Sequence, residues 1–498
     1  MNVSMLLEMA ADGAGNRIAV GSRVGGLSPG DLLARSRRIA GFIRAKGVEH
    51  VGLVDVNSEA VPIALFGCAL AGVPFAPVNY RLPDEQLESV LRRLVPGLVV
   101  AGAEVFPRIG AMEGLEVIPT ARLLEESGRT VPDEELPFVD GDAVAVVLFT
   151  SGTTGEPKAA LLRHRHLSSY VISTVEYLGA EPDESQLVSV PPYHIAGISA
   201  ILSSVYSGRR IVYLPGFDPD DWVRTVEDEG VTQAMVVPTM LRRILASVKE
   251  KGADLGSLRH LSYGGGRMPA EVIEQAMSVL PDVSFVNAYG LTETSSTVAV
   301  LTPDDHRAAI GSDDPAVRRR LGSVGRPLPT VELEIRDAEG SRLDSGERGE
   351  ICVRGEQVAG EYAGGTVLSE DGWFATRDAG WLDENGYLYL EGRLDDVIVR
   401  GAENLSPGEI EDALCSHPAV AEAAVVGLPD PEWGEVVGAA VVLEPGTPVT
   451  ESELKQWVRD RLRSTKTPQV IRFREEMPYN ETGKLLRRVI REELKPSA

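Results

Sequence analysis

Runs of β-branched and apolar residues alternate with amphipathic segments through most of this chain, and that alternation limits its folds more than any other feature. VGLVDV (51–56), LVSV (187–190), RIVYL (210–214), AMVVP (234–238) and VSFVNAY (283–289) read as buried strands. Between them, DPDDWVRTVEDEG (218–230) and TMLRRILASVKEKG (239–252) carry the spacing of helices with one apolar face. A βα alternation of this kind predicts layered α/β domains with largely parallel sheets. A chain of 498 residues exceeds what one core organises, so two or more domains are expected.

Near residue 325 the texture changes to short alternating strands with tight turns, VELEIRDAEGSRL (331–343) and DENGYLYLEGR (383–393), with Asn385-Gly386 as the strongest hairpin signal. From Asp395 a compact α+β module follows. Ser406-Pro407-Gly408-Glu409 reads as a capping box with proline at the first helical position, and Thr450 to Glu453 repeats the pattern. The expected fold is a large N-terminal α/β region of stacked sheets with a small β-rich lobe (1–394), then a C-terminal α+β domain (395–498).

The apolar stretch VPIALFGCALAGVPFAPV (61–78) holds three prolines and two glycines. It reads as a buried helix followed by a strand, not as a membrane span. The start, MNVSMLLEMAADGAG, lacks the pattern of a signal peptide. Cys68, Cys352 and Cys415 are scattered without metal-ligand spacing, which fits free thiols in the cytoplasm. The formal charge of −25 argues against nucleic-acid binding, and any phosphate site must gather its own positive charge.

FTSGTTGEPKAA (149–160) follows the apolar run AVAVVLF. A strand emptying into such a loop suits phosphate binding. Gly152 and Gly155 allow close backbone approach, Thr150, Ser151, Thr153 and Thr154 offer hydroxyls, and Lys158 adds charge. No Gly-Lys-Ser/Thr follows at the spacing of a Walker A loop. By composition alone the segment reads equally as a polar surface turn.

The stretch resembles the phosphate loop of the adenylate-forming superfamily, which includes acyl-CoA synthetases, peptide-synthetase adenylation domains and firefly luciferase. Further segments resemble that family's motifs in the family's order. PPYHIAGI (191–198) is similar to the segment at the acid pocket, with His194 the candidate. YGGGRMP (263–269) is similar to the adenine loop, here Gly264, Gly265 and Gly266. NAYGLTET (287–294) resembles the motif in which Asn287, Ala288, Tyr289 and Gly290 meet the nucleotide, with Tyr289 on adenine. In the same motif Thr292 touches the α-phosphate and Glu293 helps hold Mg²⁺. Within GWFATRDAGWLDENGYLYLEGRLDDVI (372–398), the resemblance gives Asp378 to the ribose hydroxyls, Arg393 to ribose and phosphate, and the hinge to Asp395, although Asp396 adjoins it. NETGKLLRR (480–488) resembles the loop carrying the adenylation lysine, Lys484. RGAENLSPGEIE (400–411) resembles the loop that lines the CoA channel through Gly401, Ala402 and Glu403. Ala402 and Ala159 stand where glycine is common.

The resemblance implies a mobile C-terminal cap, a substrate set of ATP, coenzyme A and a carboxylic acid, and Mg²⁺ as the metal. Adenylation of the acid would be followed by acyl transfer to CoA, with AMP released. A free-standing adenylation enzyme loading a carrier protein is the alternative, but PPYHIAGI lacks the aspartate that an amino-acid substrate would call for. A luciferase-like oxygenase, an adenylate-binding protein without turnover and an enzyme of one half-reaction are the remaining readings. The chain's end after the cap favours the CoA ligase. Residues near 193–199, 237–240 and 294–299 are mostly apolar or small and point to an uncharged, hydrophobic acyl body. A homodimer is compatible with the sequence.

Overall fold

The computed structural model describes residues 1–129, 136–150, 157–401, 403–479 and 485–495, with Asn404 described by its backbone alone. Among them, two large sheets build the N-terminal region. The first runs in the order Gly365–Thr366, Glu361–Tyr362, Lys158–Arg163, Val144–Thr150, Phe75–Pro77, His50–Val54, Gly97–Ala101, Leu115–Pro119. The second runs Arg326–Pro327, Ser296–Leu301, Ser284–Leu291, His260–Gly264, Gln233–Val236, Ser185–Val188, Arg210–Tyr213. In each, the last five strands are parallel, and antiparallel strands complete one edge. Helices cover both faces of parallel sheets, which is why these strands read as continuous apolar runs; all of Gly97–Ala101 is buried.

The helices begin and end where local chemistry dictates. Pro219–Glu229 starts at Asp218, whose carboxylate accepts from the backbone N–H groups of Asp220 and Asp221, and stops at Gly230 with φ of 55°. The apolar stretch forms the wholly buried helix Ala60–Ala71 and then the strand Phe75–Pro77, as its sequence implies.

Strands Glu332–Arg336, Gly349–Arg354, Phe374–Leu382 and Leu388–Arg393 form the antiparallel lobe, and the Asn385-Gly386 turn joins the last two. Beyond it, Gly434–Leu443 lies between antiparallel Val420–Asp430 and parallel Val470–Arg474, packed by helices Pro407–Cys415, Glu451–Arg459 and Arg487–Leu494. The capping box at Thr450 forms, its hydroxyl accepting from Glu453 N at 3.3 Å. The box expected at Ser406 does not. Ser406 Oγ instead donates to Glu391 O at 3.0 Å, and Glu409 pairs with Lys466 at 2.6 Å. Tertiary partners have taken both groups.

Two buried histidines open the helix His164–Thr174, and the first fastens the start of the chain. His164 is 1% and His166 2% exposed. Nδ1 of His164 accepts from Val3 N and Nδ1 of His166 from Arg163 N, each at 3.3 Å. Burial lowers both pKa values to about 4, below the ordinary 6.5. Between those values the unfolded chain binds more protons, so this stabilisation is complete above pH 6.5 and fades as pH falls towards 4. At pH 5 the expected loss is about 2 kcal/mol per histidine in denaturant unfolding. The His164→Gln/His166→Gln variant should show a shallower acid slope; an equally steep slope would refute the assignment.

Candidate active site

The parallel strands of the second sheet deliver their C-terminal ends to one side, where α/β sheets bind ligands. His260–Gly264 runs directly into Gly265 and Gly266, which lie beside Val237 and Pro238 at the end of the neighbouring strand. Gly264 pairs in register with Ala288. The adjacent strand, Ser284–Leu291, carries Asn287, Ala288, Tyr289 and Gly290 and leads into the short helical turn Thr292–Thr294. Asn287 is occupied structurally, its Nδ2 donating to Ser323 O at 3.1 Å.

Tyr289 is only 8% exposed, and its hydroxyl donates to Asp378 Oδ2 at 2.7 Å. Asp378 and Arg393 lie directly opposite on the hairpin of the antiparallel lobe, with Arg393 Nε 3.1 Å from Asp378 Oδ1. Arg393 also donates to Thr376 O at 2.9 Å, and Thr376 Oγ1 accepts from Asp378 N at 3.1 Å. Burial first, then the Asp378 charge, holds the Tyr289 phenol well above its ordinary pKa, so it stays a donor.

Arg377, next to Asp378, has a left-handed backbone with φ of 61°, a conformation that favours glycine. Its guanidinium donates to Asp395 Oδ1 at 2.6 Å. Asp396 instead faces Arg487 at 3.6 Å. The two neighbouring aspartates thus face partners on opposite sides of the junction at residue 395.

Thr150 and Lys158 are paired in register at the mouth of the phosphate-type loop. Ser151, Gly152, Thr153, Thr154 and Gly155 lie outside the described residues, as do Ala402 and Lys484. The exposed Lys158 ammonium sits 5.4 Å from the centroid of the Tyr362 ring. The Tyr362 hydroxyl in turn donates to Glu293 Oε1. Glu293 is 9% exposed, and its carbonyl accepts from Ala359 N at 2.8 Å and Gly360 N at 3.1 Å. Beyond it Ser295 (φ 55°) and Ser296 (φ 118°) turn the chain back, held by Gln357 Nε2, which donates to Thr294 O at 3.1 Å and Thr297 O at 2.7 Å. Tyr362 and Gln357 escaped the sequence reading because neither stands in a motif of fixed spacing. No group of three potential metal-ligating side chains occurs among the described residues.

His194 immediately precedes the helix Ile195–Ser207. Burial lowers its pKa to about 4, so the ring is neutral at physiological pH. Its Nε2 is closed to solvent and has no hydrogen-bond partner among the described residues. Tyr193 packs against it with centroids 4.8 Å apart. Ser199 Oγ, one turn along the helix, meets Ser296 Oγ at 3.2 Å, which joins two of the three segments expected to line an acid pocket.

The C-terminal module docks over this face. Arg242, early in the helix Pro238–Lys251, donates to Ala421 O and Glu422 Oε1, both at 3.0 Å. Tyr479 Oη donates to Glu422 Oε2 at 3.0 Å, and Arg267 pairs with Asp412. Tyr479 and Leu485, which flank residues 480–484, are joined by a β-bridge. Gly401 N donates to Trp433 O at 2.7 Å, and Glu403 pairs with Arg400 across a short hairpin.

The model of the AMP-binding enzyme family matches residues 7–363, and that of the AMP-binding enzyme C-terminal domain matches 409–484. Feruloyl-CoA synthase of an Amycolatopsis species is 33% identical over 474 residues, 93% of either chain. Fatty acid–[acyl-carrier-protein] ligase ScoC of Streptomyces coeruleorubidus is 32% identical over 477 residues, 93% of this chain and 90% of that one. The o-succinylbenzoate CoA synthetase of Bacillus subtilis, solved with the acyl-adenylate intermediate OSB-AMP, superposes with a TM-score of 0.84 at 28% identity, covering 99% of this chain and 98% of that one.

The strand that carries Tyr289 has a register shift between Tyr289 and Gly290, and a Cβ at Gly290 would overlap the Ser296 carbonyl. Gly290→Ala should therefore cost about 2–4 kcal/mol in unfolding free energy. In Gly266→Ala the new methyl meets nothing nearer than Pro238 at 3.8 Å, and a change within about 0.5 kcal/mol is expected. Equal effects of the two substitutions would contradict the close approach.

Proposed function

We infer that this chain, which belongs to the AMP-binding enzyme family, is an ATP-dependent, AMP-forming carboxylic acid–CoA ligase. It joins an acid to the α-phosphate of ATP, releasing pyrophosphate, and then transfers the acyl group to CoA, releasing AMP. The carrying observation is the linked pair of clusters at the strand ends, Tyr289–Asp378–Arg393 and Glu293–Tyr362–Lys158, beneath a docked cap. The first suits a ribose and the second a chain of phosphates. CoA ligases among the relatives, and a structural neighbour holding an acyl-adenylate, support the same chemistry.

In this reading Asp378 accepts from the ribose hydroxyls. Tyr289 and Arg393 hold the carboxylate in place, and a carboxylate accepts more than one hydrogen bond at each oxygen. Gly264 to Gly266 and Tyr289 meet the adenine, the loop from Thr150 to Lys158 holds the phosphates, and Thr292 reaches the α-phosphate. Magnesium is usually held by one or two carboxylates together with substrate phosphates, so the buried Glu293 fits it. When bound, the ion neutralises charge on the triphosphate.

The acid attacks as its carboxylate, already ionised at neutral pH, so no general base is needed. Attack adds charge to the phosphate oxygens, and Lys484, brought in by the cap, stabilises that charge most in the transition state. The boundary between the N-terminal region (1–394) and the cap (395–498) makes Asp395 the pivot. Its bond to Arg377 on one side, and that of Asp396 to Arg487 on the other, suit a hinge. Rotation would bring Gly401 to Glu403 to the CoA channel for thiolate attack on the acyl carbon.

The neutral His194 ring and the small Ser199–Ser296 pair suit an uncharged, largely apolar acid. No described helix is long and apolar enough to cross a membrane, and the free Cys68, Cys352 and Cys415 suit the cytoplasm. A carrier-protein acceptor is the second reading, favoured by the likeness to ScoC.

The test is mass spectrometry of products from ATP, Mg²⁺, CoA and a panel of carboxylic acids. Acyl-CoA with AMP is expected; acyl-AMP without acyl-CoA would move the acceptor to a carrier protein. Lys484→Ala should lower adenylation at least ~100-fold, the scale of losing one oxyanion donor. Thiolation of supplied acyl-AMP should stay largely intact, and equal loss of both steps would overturn the division of roles.

A further inference from the structure

Residues 359–363 connect the two large sheets at the phosphate end of the site. Ala359 N and Gly360 N donate to the carbonyl of Glu293, on the second sheet's side. Glu361 makes a two-pronged pair with Arg163, at 2.7 and 2.8 Å, on the first sheet's side. Tyr362 pairs in register with Ala160, and Ala363 N donates to Ala159 O at 3.0 Å. The segment is therefore stitched to the strand that carries Lys158 and to the turn that carries Glu293.

We propose that Tyr362 is a positioning residue for nucleotide–metal binding: its hydroxyl orients the Glu293 carboxylate while its ring seats the Lys158 ammonium and keeps the two charges apart. The proposal rests on the assignment of Glu293 to the metal.

Oppositely charged side chains at the mouth of one loop attract each other, and a direct Glu293–Lys158 pair would neutralise both groups that a metal–nucleotide complex needs. Tyr362 stands between them. Its hydroxyl gives the buried carboxylate a charge-assisted hydrogen bond, offsetting part of the cost of burying that charge. The ring face gives Lys158 a weaker, non-neutralising seat at 5.4 Å. With Oε1 held by the phenol, the orientation of Oε2 is set as well.

Tyr362→Phe keeps the ring and removes only the hydroxyl. Titration calorimetry of the full chain with ATP, with and without Mn²⁺, and electron paramagnetic resonance of free Mn²⁺ would read the consequence without turnover. In Tyr362→Phe the Mn²⁺-dependent gain in ATP affinity should shrink about tenfold, the scale of a lost hydrogen bond to a charged group. AMP binding without metal, which relies on Asp378 and Arg393, should be unchanged. Tyr362→Leu should also weaken metal-free ATP binding, because Lys158 loses its seat. Glu293→Gln separates the two ideas. If Glu293→Gln removes the Mn²⁺ gain but Tyr362→Phe keeps it in full, the role of Tyr362 is overturned. If Glu293→Gln retains the gain, the metal assignment fails and the proposal with it. Loss of AMP binding in Tyr362→Phe would show a general structural role instead, and would also overturn it.

Discussion

The Asp378 carboxylate is the junction on which the rest of the site depends. It takes the Tyr289 hydroxyl from the second sheet and the Arg393 guanidinium from its own hairpin. A partly buried carboxylate is costly unless it is paired and hydrogen-bonded, so these bonds are also conditions for closing the lobe onto the sheet. The preceding residue in the chain, Arg377, pairs with Asp395.

Around that junction, rigid and adaptable parts are divided by topology. Parallel strands end together, so the glycine loop, the Thr292–Thr294 turn and the segment before His194 converge without any long connection. The antiparallel edge strands serve a different purpose. Ser296–Leu301 turns back against Ser284–Leu291 and presents Ser296 to Ser199, while Glu361–Tyr362 extends the first sheet beside Lys158–Arg163. Lys158 lies against an aromatic ring and Arg393 against a carboxylate, and these contacts settle their positions.

The cap is held differently. Its bonds to the N-terminal region through Arg242–Glu422 and Arg267–Asp412 join side chains that keep substantial exposure. Exposed pairs of this kind are worth about 0–1 kcal/mol each. Contacts of this kind permit an interface to open and reclose, whereas a large apolar interface favours one orientation. The polarity of this junction therefore agrees with two half-reactions that need different residues at one centre.

Much of this protein was legible in the amino-acid order alone. Periodicity placed the strands at 51–56, 187–190, 210–214, 234–238 and 283–289 within a few residues of their observed bounds, because a strand or helix pattern is set by neighbours in the chain. Motif order supplied the family and the candidates Tyr289, Glu293, Asp378 and Arg393. The two capping boxes show where local reasoning stops: Thr450 keeps its local partner, but Ser406 and Glu409 are claimed by Glu391 and Lys466 from elsewhere in the fold. Only tertiary structure joined Tyr362 to Glu293, 69 residues away, and Gln357 to Thr294, 63 residues away. It also separated Asp395 from Asp396 by giving them different partners. Spacing along a chain encodes which face a residue takes, whereas the partner across a packed interface depends on how separate elements come together.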